Sequence, residues 1–258
     1  MAYTTLLVRK NEHIGIITLN RPENLNTFTT VMAQEINRVL HDLEQDAEIR
    51  VIIIQGKGKA FCAGVDVNEM NGKNMVERLN WVNLMGQLSL TIASMGKPVI
   101  ASVQDLAIAN GTGIVLAADL AIAAEGARFG TTAVNLGLFC MGPAVALSRH
   151  VGKKKALEML LTGDIIDAEQ AKQLGLINKV VPREELETET LQLAQKIAAQ
   201  SPLAVQMGKK SFYKMCDLEY AKAYELVNHH FAILCSTEDA QEGVNAFLEK
   251  RTPQWKMR

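Results

Sequence analysis

Aromatic residues are scarce in this sequence, at 5% of 258 residues, and charge is balanced, with 27 Lys and Arg against 28 Asp and Glu. With a formal net charge of −1, neither a base-stacking platform nor a basic footprint is present, which argues against nucleic acid and membrane surfaces as partners. Cysteine is sparse and scattered: Cys62, Cys140, Cys216 and Cys235 form no CxxC pair. That spacing suits no disulfide framework and reads as reduced thiols of an intracellular protein. No apolar run approaches a membrane span, and the opening MAYTTLLVRKNEHIGIITLN lacks the basic-then-apolar order of a secretory signal. The expectation is a cytoplasmic protein.

Familiar ligand motifs are missing too. GKGKAFCAG starts like a dinucleotide loop, but Phe61 stands where the third glycine is needed. There is no GxxxxGK[ST] and no GxSxG elbow. The adjacent His229 and His230 project from different helix faces and cannot chelate one ion as an i, i+4 pair does, so no metal is expected.

What is present is a 48% hydrophobic chain, long enough to bury a large core as one domain or one domain with an appendage. GIITLN and VIIIQG are β-branched runs ending near Pro or Gly and read as strands. Between them TTVMAQEINRVLHDLEQDAE has helical spacing, with Thr29 or Thr30 as N-cap. NMVERLNWVNLMGQLSLTIASM gives a second helix, PVIASVQDLA one continuous buried strand, and LAIAAEGARFG another. AVALSRHVGKKKALEMLLTG reads as helix, DAEQAKQLGLINKVVP as helix, glycine and strand, and nearly everything from Glu184 onward as helix. Strand-helix alternation with a helical tail predicts an α/β fold.

Two segments, KAFCAGVDVNEM (59–70) and AIANGTGIVLAAD (107–119), each read as a strand ending in small residues followed by a helix-like stretch. Helix N-termini offer unpaired N–H groups and a positive dipole end. Two facing ends would place two backbone N–H groups around one carbonyl oxygen, forming an oxyanion hole. Gly64, Gly111 and Gly113 equally suit tight turns and close packing without any ligand.

Both segments resemble the signatures of the crotonase superfamily, the enoyl-CoA hydratase/isomerase family. LNRPENLNTF is similar to its first loop, and GKPVIASVQDLAIANGTGIVLAADLAIAAEGARFG to its second oxyanion segment. LTGDIIDAEQAKQLGLINKVVP is close to a further family stretch, and the similarity spans nearly the whole chain. VNLGLFCMGPAVALSRHVGKKKALEML is especially similar to the enoyl-CoA hydratase domain-containing protein 3 group. The resemblance implies a ββα spiral core over residues 1–198 and a helical trimerisation region over 199–258, assembling as a homotrimer or a dimer of trimers. It implies a coenzyme A thioester as ligand or substrate and no tightly bound cofactor.

By position, the resemblance makes Val65 and Asn110 the two backbone donors, with Arg21, Ala60, Cys62, Gly64, Asp66 and Gly111 along the ligand. Lys214, Lys250 or Lys256 are available for CoA phosphates. The two glutamates with which hydratases of the family handle water match Gly113 and Ala133 here, and a third acid position matches Met141. None of the three can move a proton. Asn135 and Cys140 fall in the segment that normally supplies acids, and Asp66 is expected to support its loop. Glu69 and Lys73 lie on the adjoining segment, able to swing toward a ligand or simply solvated. Three readings follow: an acyl-CoA enzyme whose hydration is weak or replaced by decarboxylation or thioester hydrolysis, a non-catalytic acyl-CoA-binding protein, or a structural trimer.

Overall fold

Apolar runs that read as single strands bend at their midpoints, and the bend organises the fold. The computed structural model describes residues 3–258. An antiparallel pair, β1 (Leu6–Asn11) and β2 (Ile14–Leu19), leads to α1 (Thr30–Gln45). Three strand-strand-helix turns follow. They are β3 (Val51–Gly56), β4 (Ala60–Cys62) and α2 (Met75–Ser94); β5 (Val99–Val103), β6 (Leu106–Ile108) and α3 (Asn110–Ala117); and β7 (Leu120–Ala124), β8 (Arg128–Gly130) and α4 (Met141–His150). The chain continues through α5 (Lys153–Thr162), β9 (Ile165–Asp167), α6 (Ala168–Gln173), β10 (Lys179–Val181) and α7 (Leu186–Ala198). It ends in α8 (Pro202–Met215), α9 (Tyr220–Cys235) and α10 (Glu238–Glu249).

The first strand of each turn joins a six-stranded sheet of order β1-β2-β3-β5-β7-β10, and the second joins a four-stranded sheet of order β4-β6-β8-β9. PVIASVQDLA is therefore not one strand. It turns a corner at Gln104–Asp105, where the Gln104 amide donates to Gly56 O (2.9 Å) and Ala60 O (2.8 Å) and so fastens the equivalent corner of the previous turn. Gly56 is required there, because a Cβ would lie 2.6 Å from Ala60 O. LAIAAEGARFG likewise divides into β7 and β8. The expected helix over AVALSRHVGKKKALEMLLTG breaks at Val151, whose backbone is extended, and restarts after Gly152 as α5.

The large sheet is covered on both faces, which explains its unbroken β-branched runs. Ile17, Leu19, Ile52 and Ile54 pack with Met32, Ile36 and Leu40 of α1 in the main core. Ile14, Ile16, Val51 and Ile53 pack with Ala194 and Ala198 of α7. Each such side chain contributes about 1.5–3 kcal/mol when fully buried. Thr29 is the cap of α1, its Oγ1 accepting from Met32 N (3.2 Å).

The C-terminal helices are tied on by a buried ion pair. Lys209 Nζ of α8 lies 2.7 Å from Asp119 Oδ2 and donates to Lys97 O (2.9 Å), while Tyr213 OH donates to Asp119 Oδ1 (2.9 Å). Asp119 also accepts from Val99 N (2.7 Å), so α8 is keyed to the starts of β5 and β7. By contrast α9 buries none of its residues, and Phe231, Phe247 and Leu248 stand more than two-thirds exposed at 67%, 82% and 71%.

Candidate functional site

The first segment is held by the loop that follows β2. Phe28 forms an isolated parallel bridge with Val65: Phe28 N donates to Gly64 O (2.8 Å) and Asp66 N to Phe28 O (3.0 Å). Successive N–H groups in extended chain point to opposite sides, so the Val65 N–H turns away from this bridge. It donates to no backbone loop or turn acceptor among the described residues. Gly64, at φ +99°, occupies a region closed to most side chains.

Contrary to the sequence expectation, no α-helix starts here. A single 3-10 turn, Val67–Met70, follows, with Asp66 as its cap. Helix-dipole support for the Val65 donor is correspondingly small, since the macrodipole needs aligned peptide units.

Asp66 supports its loop. Oδ2 accepts from Arg21 Nη2 (3.1 Å) and Oδ1 from Asn68 N (3.2 Å) and Nδ2 (3.0 Å). Burial pushes its carboxyl up, but the Arg21 guanidinium and Asn68 more than offset this and hold it below the ordinary aspartate value. Arg21 also donates to Thr27 O (2.6 Å) and Asn24 Oδ1 (3.3 Å), so most of its guanidinium is committed to the 21–27 loop.

Glu69 is half-buried and held through one carboxylate oxygen. Oε2 accepts from Thr30 N (2.8 Å), Thr30 Oγ1 (2.6 Å) and Trp81 Nε1 (3.1 Å). Burial pushes its carboxyl up, yet these donors hold it below the ordinary glutamate value, locked at the start of α1. Lys73 Nζ donates to Glu69 O and lies 5.9 Å from the Trp81 ring centroid. Nothing in the local sequence marked this Thr30–Glu69–Trp81 cluster, which joins three elements.

In the second segment β6 passes into α3 through Ala109, whose φ of 49° and ψ of −115° are unusual for a residue with a side chain. Ala109 N donates to Gly130 O (2.8 Å). Thr112 Oγ1 lies 2.7 Å from Ala107 O and accepts from Gly130 N (3.1 Å), buttressing the turn from beneath. The first N–H groups of α3 have no intrahelical partner, and Asn110 N donates to no loop or turn acceptor among the described residues.

The two segments meet backbone to backbone. A Cβ on Gly111 would lie 2.0 Å from Cys62 O, and one on Gly64 would lie 3.1 Å from Ala109 Cβ and 3.9 Å from Asn110 N. Ala60, Phe61 and Cys62 of β4 are all buried, Cys62 lies against Gly111 of α3, and Ala60 pairs with Leu106 and Cys62 with Ala107. The glycines that separated a ligand site from a tight turn only ambiguously thus serve close approach at Gly111 and a left-handed backbone at Gly64. Val65 N and Asn110 N, which have no loop or turn acceptor among the described residues, belong to two segments in contact.

None of Gly113, Ala133 and Met141, the positions at which the sequence resemblance expects acids, carries a carboxylate. Gly113, from α3, meets Pro143 and Asn110: its Cβ would stand 3.1 Å from Pro143 Cγ and 3.7 Å from Asn110 Oδ1. Ala133 lies in the 3-10 turn Thr132–Leu136, its backbone against the Cys140 thiol. Burial pushes Cys140 up, and Cys62 more so, to about 12; neither thiol is a thiolate at neutral pH. Asn135 is directed to α5, since a Cβ on Gly163 would meet its Oδ1 at 2.9 Å. Met141 is 71% exposed at the start of α4. Lys250 ends α10 with φ 54°, and Lys256 Nζ lies 3.6 Å from Glu238, both within the C-terminal helical segment. Two clefts of about 380 and 310 Å³ also lie in that segment and are lined by neither donor.

Comparisons with known proteins show the family. The family model described as enoyl-CoA hydratase/isomerase matches residues 9–258. The mitochondrial enoyl-CoA hydratase domain-containing protein 3 of Rattus norvegicus is 38% identical, over 96% of this chain and 83% of its own. A probable enoyl-CoA hydratase of Rhizobium meliloti is 36% identical over 100% of both chains. The crystal structure of an enoyl-CoA hydratase from Mycobacterium smegmatis superposes with a TM-score of 0.95 at 38% identity, covering 98% of this chain and 99% of that one. No helix among the described residues is long and apolar enough to cross a membrane.

Proposed function

Since this chain belongs to the enoyl-CoA hydratase/isomerase family, we propose that it binds acyl-CoA thioesters and stabilises a thioester enolate between the Val65 and Asn110 backbone N–H groups. The observation that supports this reading is the close approach of the two segments: a Cβ on Gly111 would lie 2.0 Å from Cys62 O and one on Gly64 3.9 Å from Asn110 N, and neither Val65 N nor Asn110 N donates to a loop or turn acceptor among the described residues. In a water-poor site, removing one such donor costs about 10²–10³ in rate.

Gly113 and Ala133 occupy the positions where the resemblance expects glutamates, and neither has a proton to give. Hydration of an enoyl thioester, which needs water activated and a proton delivered, is therefore weak. Decarboxylation of a malonyl-type thioester needs less from the protein. The bond from C2 to the carboxylate breaks, CO₂ leaves, the electron pair becomes the enolate, and a solvent proton ends on C2. Thioester hydrolysis would use the same two donors on a tetrahedral anion. A non-catalytic acyl-CoA-binding protein is the second reading, favoured by the engagement of Asp66 and of Glu69 Oε2 in structural hydrogen bonds.

No tightly bound cofactor is needed for any of these steps, and the balanced charge suits a cytoplasmic setting. A homotrimer or dimer of trimers would cover the apolar faces of α8–α10, and Lys250 would reach CoA phosphates. Turnover over enoyl-, malonyl-type and 3-oxoacyl-CoA thioesters, read by mass spectrometry, tests the reaction. Calorimetry tests the hole: acetyl-CoA should bind more tightly than a thioether analogue lacking the carbonyl, and Val65→Pro, which deletes one of the two donors, should weaken thioester binding and narrow the difference, with circular dichroism checking that the fold survives. Equal affinity in the wild type would remove the oxyanion hole.

A further inference from the structure

The residue that supplies the second backbone donor also carries a side chain with nothing to bond. Asn110 Nδ2 is buried and has no hydrogen-bond partner. A buried donor left unmade costs about 1–3 kcal/mol, so a native structure that keeps one calls for a reason. Its location supplies one. The carboxamide folds back along α3 to Gly113, where a Cβ would stand 3.7 Å from Oδ1, and Pro143 of α4 closes the same space from the other side. Gly113 is the position at which a longer side chain would compete for this space, so its lack of a Cβ and the carboxamide of Asn110 belong to one arrangement.

We propose that the Asn110 side chain is a specificity determinant, donating from Nδ2 to a second acceptor oxygen on the acyl group while its backbone N–H holds the thioester oxygen. The substrate class is an acyl thioester with a carbonyl or carboxylate on C2 or C3, of the 3-oxoacyl or malonyl type. In the enolate of a 3-oxoacyl thioester the two oxygens lie on one side of the chain, and a malonyl-type thioester carries its carboxylate oxygen at the same remove before CO₂ leaves, which suits two donors offered by one residue. An enoyl or saturated acyl chain has only carbon at that place and leaves Nδ2 unpaired. Because Nδ2 is buried, a ligand oxygen reaches it only if the neighbouring first turn of α4, whose Pro143 stands 3.1 Å from a Gly113 Cβ position, gives way. The inference rests on the oxyanion-hole reading and adds to it a preference that the backbone donors alone do not make.

Calorimetry with acetoacetyl-CoA and butyryl-CoA, which differ by the oxygen in question, decides it, using wild type, Asn110→Ala and Asn110→Asp. Wild type should favour acetoacetyl-CoA about tenfold or more, the worth of about one good hydrogen bond. In Asn110→Ala the ratio of the two affinities should fall about tenfold, and in Asn110→Asp, where a carboxylate faces the ligand oxygen, it should fall further. The near-ultraviolet absorbance of bound acetoacetyl-CoA enolate should fall in step, a signature that simple loss of packing would not produce. If Asn110→Ala fails to fold by circular dichroism, Asn110→Gly takes its place, since glycine makes no demand on the space. A ratio in the variants within twofold of wild type overturns the inference while leaving the oxyanion hole standing. Failure of wild type to bind either thioester overturns both.

Discussion

Ala109→Gly should make the protein more stable, opposite to the usual effect of placing glycine in a folded chain. Ala109 adopts φ 49°, ψ −115°, the conformation of the first central residue of a type II′ turn, where glycine is the residue of choice. A residue with a Cβ held in so sparsely populated a region costs about 1–3 kcal/mol. Against this, glycine enlarges the conformational freedom of the unfolded chain, a loss of about 0.4–1 kcal/mol. The net is a gain of about 0.5–2 kcal/mol, or roughly 1–8 °C in Tm at 2–4 °C per kcal/mol for chains of this order of size. Scanning calorimetry of Ala109→Gly beside Ala117→Gly, a helical position in α3 with ordinary backbone, measures it. The helical control should lose stability by about 0.5–1 kcal/mol. If Ala109→Gly falls by as much as the control, the backbone at the mouth of α3 is not strained and the account of how Asn110 N is aimed is wrong.

Gly111→Ala should destabilise by about 1–3 kcal/mol or more, because its methyl would stand 2.0 Å from Cys62 O, a backbone atom that cannot rotate away; an unchanged Tm would mean that β4 and α3 are not in contact. Asp66 has a depressed folded-state value, so its stabilising effect is complete above the unfolded aspartate pKa of about 3.9 and is lost as pH falls through the folded value. Wild type should therefore exceed Asp66→Asn in Tm at pH 6 and converge with it in acid; a gap that widens in acid refutes the Arg21–Asp66 account. Light scattering at micromolar concentration should give a multiple of 28.3 kDa, and Phe212→Asp with Leu226→Asp should lower it by putting unpaired charge into an apolar contact; a wild-type mass of one chain ends the assembly proposal. Iodoacetamide should leave Cys62 unmodified in the native protein, its burial and raised pKa removing both access and thiolate; rapid alkylation there would contradict the packing of β4 under α3.

The periodicity of the chain was enough to place most elements, since helical spacing over residues 30–45 and β-branched runs at 14–19 and 51–56 are local properties. The family was legible as well, because the signatures in 59–70 and 107–119 depend on small residues whose smallness shows in the sequence. Corners were not legible. PVIASVQDLA has the same apolar pattern whether it runs straight or changes sheet at Gln104, and only the contacts of the Gln104 amide with Gly56 O and Ala60 O separate the two. Side-chain partners across elements were likewise out of reach. Glu69 reads as a solvated acid until α1 and α2 bring Thr30 and Trp81 to it, and Ala109 reads as an ordinary alanine until β6 and α3 demand a positive φ of it. Pattern along the chain reports what each residue prefers in its own neighbourhood. What a carboxylate, an amide or a strained peptide actually meets is set by groups dozens of residues away, and those distances exist only once the sheets have closed around the core.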